Sequence, residues 1–232
     1  MQINILTLFP GLFDSFLNES LIGKAREAGL LDVRLYDFRE QTTDAHNTVD
    51  DKPYGGGAGM VLQIDPIYQA LKQLKPAGPA GQNYFRADPS VSGLTLLMTP
   101  EGEQLSHTKA EELSQLDQLT LICGRYEGFD ERITTFVDGK LSIGSYVLSG
   151  GELAAQVTIE ALSRFVPGVI GKEESVLNDT FAQGPDHVEA PVYTRPEVYT
   201  LDDGTELKVP DILLSGNHGE IEKWRQQNPK SR

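Results

Sequence analysis

Three short apolar runs in the middle of the chain, each followed at once by a glycine-bearing loop, decide the predicted fold. They are Leu94–Met98 (LTLLM) before TPEG at 99–102, Leu119–Cys123 (LTLIC) before GRYEG at 124–128, and Leu141–Ile143 (LSI) before GSYVLSGG at 144–151. Such runs, separated by helix-like segments at 103–116 and about 130–137, are typical of a parallel α/β sheet. Ligands of these sheets bind outside the carboxyl ends of the strands. Three consecutive glycine loops therefore predict one shared pocket.

The pattern continues on both sides of this central region. An apolar run predicts a strand at Ile3–Phe9, an alternating pattern predicts a second strand at Val33–Phe38, and helices are expected at Ile64–Leu74 and Glu152–Phe165. A last helix is expected to begin near Asn217, with Ile221 and Trp224 on one face. We expect a large α/β domain at 1–166, a linker at 167–183, and a small helical domain at 184–232.

Composition limits the class of protein. The chain has 232 residues, of which 39% are hydrophobic, and a single cysteine, Cys123, so a disulfide framework is excluded. The four histidines show no zinc-binding spacing. No run approaches the length of a membrane helix, and the first residues lack the features of a signal peptide. These observations predict a cytoplasmic protein without a structural metal or a membrane partner.

The charge balance argues against a nucleic-acid partner at first sight. Twenty Lys and Arg against 34 Asp and Glu give a net charge of −14, whereas nucleic-acid binders are usually basic. A protein that binds one short segment of nucleic acid needs only a local cluster of basic residues at the edge of its binding surface, here called the basic rim. Candidates for that rim lie near the start and at the end: Lys24, Arg26, Arg34, Arg39, Lys223, Arg225, Lys230 and Arg232.

The glycine loops also exclude some ligands. None of them has the GxxxxGK[ST] pattern of a phosphate loop, and no early strand leads into GxGxxG. Nucleoside triphosphates and dinucleotides are therefore disfavoured. A ligand with adenine, ribose and an amino-acid tail but no phosphate is consistent with these loops.

Several long motifs resemble bacterial tRNA (guanine-N1)-methyltransferases of the knotted SPOUT class. The match runs in order from about Leu8 to Arg225. It is carried by TVDDKPYGGG at 48–57, CGRYEG at 123–128, SIG at 142–144, YVLSGGEL at 146–153, SRFVPGV at 163–169, YTRP at 193–196 and LSGNH at 214–218.

This resemblance implies a trefoil knot in the sheet, with S-adenosyl-L-methionine bound bent inside it, and a homodimer whose active site uses both subunits. It implies donor contacts, largely through the backbone, from Leu97, Thr99, Pro100, Gly124, Tyr126, Glu127, Ile143, Gly144, Ser145, Tyr146, Val147, Leu148, Gly150 and Gly151. It also implies that Glu127 lies beside the sulfonium or beside a loosely held magnesium ion.

The reaction that the resemblance implies needs a base and a cation. N1 of guanine must lose its proton before it attacks the methyl group, which leaves negative charge shared with O6. The resemblance assigns Asp179 as the base and Arg164 as the cation. It also assigns Asp50 to the guanine edge, with Tyr54 and His46 as weaker substrate candidates. Without the motif, Asp179 would be interpreted as a helix N-cap and Asp50 as a turn residue.

The chain departs from its relatives at a few positions. Leu97, Ser145 and Ala154 stand where many relatives carry Tyr, Asp and Pro, which is expected to alter the pocket rim but not its backbone contacts. The chain ends at Arg232, where relatives continue for a further helix or two. We therefore expect a shortened tRNA-binding domain and a weaker affinity for RNA.

Two rival functions share part of this pattern. Another knotted methyltransferase, acting on ribosomal RNA or on a ribose hydroxyl, would share the donor loops but lack the motifs around Asp50 and Asp179. A non-catalytic RNA-binding module would have lost Asp179 or Arg164, and both are present. The favoured function is methyl transfer to N1 of the guanosine 3′ of the anticodon, position 37 of tRNA, which maintains the reading frame.

Overall fold

The computed structural model describes residues 1–74, 92–171 and 179–230. The predicted surface loop at 76–93 and part of the predicted linker fall largely outside these residues. The chain divides into two compact units, Met1–Gly171 and Lys172–Arg232. Each unit is described separately below.

The first unit is built on a five-stranded parallel sheet. Its strands are β1 (Gln2–Thr7), β2 (Asp32–Asp37), β5 (Gly93–Gln104), β6 (Gln118–Cys123) and β7 (Gly139–Ser142), in the spatial order β2-β1-β6-β5-β7. Every neighbouring pair runs parallel. The parallel α/β sheet predicted from the sequence is confirmed, and all three central runs are strands of it.

Helices cover both faces of the sheet, which explains why its central strands β1, β6 and the first half of β5 are nearly continuous apolar runs. The helices of this unit are α1 (Asp14–Asn18), α2 (Ser20–Glu27), α3 (Ile64–Leu74), α4 (His107–Ser114) and α5 (Glu152–Ser163). On one face, Ile5 and Leu121 pack in a cluster with Ile159 of α5. On the other, Leu6 and Ile122 pack in a cluster with Ile67 of α3.

Short elements complete this unit. Three 3₁₀ helices lie at Pro10–Phe13, Phe38–Gln41 and Glu131–Phe136, so the helix predicted at about 130–137 is a tighter 3₁₀ helix. A small antiparallel pair joins β3 (Asp50–Asp51) to β4 (Val61–Leu62) on either side of the glycine-rich loop. The predicted helix at Ile64–Leu74 is confirmed with the same limits.

The sequence interpretation was wrong between residues 99 and 106. A helix was expected from Glu103, but β5 continues to Gln104 and pairs with β7 a second time after a register shift between Met98 and Glu103. Gly102 allows this course because a Cβ there would overlap the backbone of Lys140 and Leu141. The helix begins only after Ser106, whose hydroxyl accepts a hydrogen bond from the Lys109 amide at 3.1 Å.

The second unit contains a hairpin that the sequence analysis did not anticipate. Strands β8 (Val198–Thr200) and β9 (Glu206–Lys208) pair antiparallel around the turn at Leu201–Thr205. Two helices follow, α6 (Asp211–Leu214) and α7 (His218–Gln227). The predicted last helix is confirmed, and Asn217 caps it by accepting a hydrogen bond from the Glu220 amide. The expectation of a purely helical unit is corrected, because short strands with exposed residues on both faces give no alternating pattern.

Among the described helices, none is both long and apolar enough to cross a membrane.

Candidate active site

One cavity of about 340 Å³ lies beside the irregular middle of β5 and the carboxyl ends of β6 and β7. Its walls come from residues 97–101 of β5, from the loops after β6 and β7, and from residues of the 3₁₀ helix at Glu131–Phe136. A volume of this size suits a small ligand. The cavity therefore lies where the three glycine loops predicted it.

Two of the three loops are joined directly through their backbones. The Gly151 amide donates a hydrogen bond to the Gly124 carbonyl at 2.9 Å, and Arg125 forms a β-bridge with Gly150. A Cβ at Gly151 would lie 2.9 Å from the Cα of Cys123, which is too close for any side chain. Glycine is required here because the backbones of the two loops meet.

The loop after β7 is also fixed internally. The Ser142 hydroxyl donates to the Gly144 carbonyl at 3.0 Å and accepts from the Gly144 amide at 3.2 Å. The Tyr146 amide donates to the same carbonyl, and the Tyr146 hydroxyl donates to the Ile143 carbonyl. Because these bonds hold the loop in one shape, its remaining backbone groups are available to a ligand in a defined arrangement.

The loop after β6 is tied to the glycine-rich segment that precedes β4. The Glu127 amide donates to the Met60 carbonyl, and the Leu62 amide donates to the Gly128 carbonyl, each at 2.9 Å. Gly59 lies under the side chain of Glu127, where a Cβ would overlap it. The pocket wall and the segment that carries the predicted substrate residues are thus held together by main-chain hydrogen bonds.

A buried charge cluster lies behind the pocket wall. Glu152, at the start of α5, is 1% exposed, and its carboxylate lies 2.8 Å from Arg125 Nη2. The Thr7 hydroxyl donates to the other carboxylate oxygen at 2.8 Å. The Arg125 guanidinium also lies 4.4 Å from the centre of the Phe9 ring and donates to the Ser149 carbonyl at 3.3 Å. The cluster connects β1, the loop after β6 and the start of α5.

Two further ion pairs lie at the mouth of the pocket. Lys140 Nζ is 3.0 Å from the Glu101 carboxylate, and hydrogen bonds from Lys140 and from Thr99 lower the pKa of Glu101. Arg132 pairs with Asp130 and lowers the pKa of that carboxyl group. Both carboxylates therefore remain ionised at neutral pH, so the mouth carries charges of both signs.

Cys123 closes the floor beneath the loops. It is fully buried, and burial raises the pKa of its thiol well above the ordinary value, with the charge of Glu152 adding to the effect. Because the thiolate is the reactive form of cysteine, Cys123 is a packing residue here.

All but one of the predicted donor residues line this cavity. The exception is Ser145, which is exposed and is not part of the lining. Leu97 and Ala154, two of the positions at which the chain departs from its relatives, do line the cavity. The assignment of these residues to a methyl donor stays a prediction.

The two predicted catalytic residues fall in different units. Arg164 follows directly after α5 in the first unit and is partly buried. Asp179 opens the described part of the second unit, where its carbonyl accepts a hydrogen bond from the Ala182 amide at 3.0 Å. Neither residue lines the cavity. Their roles stay predictions.

The three predicted substrate residues also lie outside the cavity lining. His46 is exposed in a turn that Asp44 organises by accepting hydrogen bonds from the amides of His46 and Thr48. Asp50 is partly buried and opens β3, while Tyr54 is fully exposed at the start of the glycine-rich loop. The structure thus places them on one continuous segment beside the pocket wall.

Sequence reasoning missed Glu152 and Arg125 as a pair. An acidic residue in the first turn of a helix is usually interpreted as an exposed partner of the helix dipole. The spacing 152, 155, 159 and 162 nevertheless puts Glu152 on the same face as Ala155, Ile159 and Leu162, all buried. A carboxylate in register with a buried apolar face was the available signal.

The described residues offer no cluster of three or more His, Cys, Asp or Glu side chains that could hold a metal ion. Glu127 is the pocket residue that the sequence singled out for magnesium. Magnesium is commonly bound by one or two carboxylates and several waters, so Glu127 fits a loosely held ion of that kind.

Comparison with known proteins agrees with this geometry. The model of the family described as tRNA (Guanine-1)-methyltransferase TrmD matches residues 1–232. The tRNA (guanine-N(1)-)-methyltransferase of Geotalea uraniireducens is 46% identical over 233 residues, covering 100% of this chain and 87% of that protein. Those of Limosilactobacillus reuteri and Geobacillus kaustophilus are 47% and 46% identical, covering 97% and 98% of this chain and 83% and 86% of their own lengths. The resemblance read from the motifs is confirmed, and the chain belongs to the tRNA (guanine-1)-methyltransferase TrmD family.

Proposed function

We propose that this protein transfers a methyl group from S-adenosyl-L-methionine to N1 of guanosine 37 in tRNA, the base 3′ of the anticodon, and so maintains the reading frame. The observation that carries the proposal is the cavity formed by the middle of β5 and the loops after β6 and β7 in a chain of this family. A cytoplasmic location is part of the proposal, because tRNA is the proposed substrate.

The donor is proposed to bind in this cavity, mainly through backbone groups. The shape of the loop at 143–146, fixed by its own hydrogen bonds, supports that role because amides and carbonyls can recognise adenine without a charged side chain. Ser145 is the weakest donor candidate, since it lies outside the lining.

The chemistry is proposed to be a direct displacement. The N1–methyl bond forms as the sulfur–methyl bond breaks, and the N1 proton passes to Asp179. Arg164 stabilises the negative charge that develops on O6. A carboxylate is a weak base for this proton, so we propose that Arg164 assists by stabilising the anion that forms.

The target base is proposed to be held by the segment that carries Asp50, with Tyr54 and His46 contributing to RNA contact. The exposure of Tyr54 and His46 supports contact with a large partner. The second unit is proposed to bind tRNA. Magnesium, when present, would be held by Glu127 and waters and would supply local positive charge.

A homodimer is part of the proposal. Leu153 and Val157 are exposed on α5, and Leu12 lies beside them, since its carbonyl accepts a hydrogen bond from the Gln156 side chain at 2.8 Å. An exposed apolar patch on a helix face is more stable when a second subunit covers it. Sedimentation should give twice the chain mass, whereas full activity of a monomer at high dilution would contradict a shared site.

The trefoil knot is likewise proposed. The chain leaves the edge strand β7 and returns to the loop after β6, where Gly151 meets Gly124. This return course supports a threaded arrangement of the kind that the family resemblance implies.

The decisive experiment maps the product. The purified protein is incubated with S-adenosyl-L-methionine and an unmodified tRNA transcript, and the methylated nucleotide is located by nuclease digestion and mass spectrometry. We expect N1-methylguanosine at position 37 and no product on a matched transcript with adenosine at that position. A methyl group on ribose or at another base would contradict the proposal.

A further inference from the structure

Glu152 is the one ionisable side chain that the described part of the fold buries, apart from the Cys123 thiol. Burying a carboxylate is costly unless an opposite charge and hydrogen bonds compensate it. One carboxylate oxygen accepts hydrogen bonds from the Thr7 hydroxyl and from Arg125 Nε. The other lies 2.8 Å from Arg125 Nη2 and has no hydrogen-bond partner of good geometry among the described residues. The charge of Glu152 is therefore balanced by Arg125.

Arg125 belongs to the wall of the pocket. It is one of the lining residues, and its side chain is 21% exposed. The Phe9 ring and the Ser149 carbonyl also hold the guanidinium, so it is not fixed by Glu152 alone. A full positive charge thus stands at the pocket wall whether or not Glu152 is ionised, because arginine does not lose its proton in proteins.

The proposed donor and its product differ in charge at one atom. S-adenosyl-L-methionine carries a positively charged sulfonium, while S-adenosylhomocysteine, which remains after methyl transfer, has a neutral thioether. An uncompensated guanidinium in the wall would repel the donor and leave the product unaffected. Such a pocket would lose part of its preference for the cationic donor, because the other carboxylates in the lining, Glu101, Glu127, Asp130 and Glu131, would still attract it.

We infer that the Glu152 carboxylate sets the preference of this pocket between cationic and neutral ligands, by cancelling the charge of Arg125 in the pocket wall. This inference rests on the proposed function, since it takes the sulfonium donor as the ligand. Glu152 does not line the cavity, so it acts through Arg125 as a positioning and charge-balancing residue.

The test compares the affinities of two ligands for the wild-type protein and for one variant. Dissociation constants for S-adenosyl-L-methionine and S-adenosylhomocysteine are measured by calorimetry on the full chain and on Glu152→Gln, which keeps the shape of the side chain and removes its charge. With an effective dielectric constant of about 20 and a charge separation of about 10 Å, the donor should lose on the order of tenfold more affinity than the product. Glu160→Gln, at an exposed position on the same helix, is the matched control and should change neither constant.

Arg125→Gln provides a test of opposite sign. It leaves the Glu152 carboxylate with the Thr7 hydroxyl as donor, and because an unpaired buried carboxylate tends to take up a proton, the constants are measured at alkaline pH, where the local charge is negative. The preference for the donor over the product should therefore rise by several-fold. The double variant Arg125→Gln/Glu152→Gln removes both charges and should return the ratio of the two constants to near the wild-type value.

The outcomes separate a charge effect from loss of structure. If Glu152 only supported the fold, both ligands would weaken by the same factor in Glu152→Gln, and that result would overturn the inference. A Glu152→Gln protein that does not fold would leave Arg125→Gln as the deciding variant, and an unchanged or lower donor preference there would overturn it too. If the wild-type protein bound neither ligand, the proposed function itself would fail.

Discussion

The two compact units of this chain differ most in how much they bury. The first unit has a core on both faces of its sheet, with fully buried side chains such as Ile5 and Leu121. In the second unit, none of the described residues from 179 to 230 is buried. Burial of apolar surface is the main stabilising term in folding, so the first unit has its own source of stability. The described part of the second unit is held mainly by hydrogen bonds, such as those of the hairpin β8–β9 and those between Lys230 and Glu189.

This difference matches the division of labour in the proposed function. A donor pocket built from backbone groups needs a rigid support, which the buried sheet supplies. A surface that must adapt to RNA has less use for a core, and segments that bind partners are often drawn from the less stable parts of a protein.

The largest effect is expected from a substitution at the proposed base in the second unit. It should slow methyl transfer while leaving the pocket of the first unit intact. Asp179→Asn keeps the size of the side chain but cannot take the N1 proton, so single-turnover methyl transfer should fall by about a hundredfold to ten-thousandfold. Donor affinity, measured by calorimetry, should remain close to that of the wild type. Asp65→Asn, at an exposed position on α3, is the control. Near-normal transfer by Asp179→Asn would move the role of base to Asp50.

The same contrast can be tested through the proposed partner of that base. Arg164→Ala in the first unit should also reduce methyl transfer strongly. Because the base and the cation act on the same transition state, the double variant should be little worse than the poorer single variant. Losses that multiply would mean that the two residues act independently.

A smaller effect is expected on stability, and it compares the units directly. Leu121→Ala should lower the free energy of unfolding by about 2 to 5 kcal/mol, because it opens a cavity in a fully buried site. Leu207→Ala should cost less than about 0.5 kcal/mol, since that side chain is half exposed on β9. Urea titration of both variants gives the two values. A large loss of unfolding free energy in Leu207→Ala would show that this side chain is buried in solution and that the second unit has a core after all.

The smallest effect concerns salt. Despite the net charge of −14, tRNA binding should weaken by about tenfold to a hundredfold between 50 and 200 mM salt, as expected for two to four phosphate contacts. Donor binding should change by less than about twofold, because its contacts are short-ranged. Filter binding of tRNA and calorimetry of the donor at the same salt concentrations test this. A tRNA affinity that is independent of salt would contradict phosphate contacts by local Lys and Arg.

The sequence was sufficient for the centre of the sheet because β1, β6 and the first half of β5 are largely buried and contain nearly unbroken apolar runs. It was not sufficient at Gly102, where the second pairing of β5 with β7 depends on how closely two backbones approach. Hairpin β8–β9 was missed because no residue of its strands is buried, and periodicity reports burial.

The candidate site shows the same limit. The glycine loops located the pocket because their positions along the chain mark the ends of strands. The pairing of Glu152 with Arg125 depends on a contact between residues 27 positions apart, which local sequence patterns do not record. The catalytic assignments of Asp179 and Arg164 came from family motifs alone and could not have come from spacing.

The hydrogen bond between Thr7 and Glu152 limits when the pocket can form during synthesis on the ribosome. The two residues are 145 positions apart, so Thr7 is synthesised long before its partner. At about 5 to 20 residues per second, roughly 7 to 30 seconds pass between them. During that interval β1 can pair with its neighbouring strands, but Glu152, which holds Arg125 in the pocket wall, has not yet been synthesised. The pocket can therefore mature only after α5 has emerged, and a nascent chain shorter than this should be unable to retain a ligand.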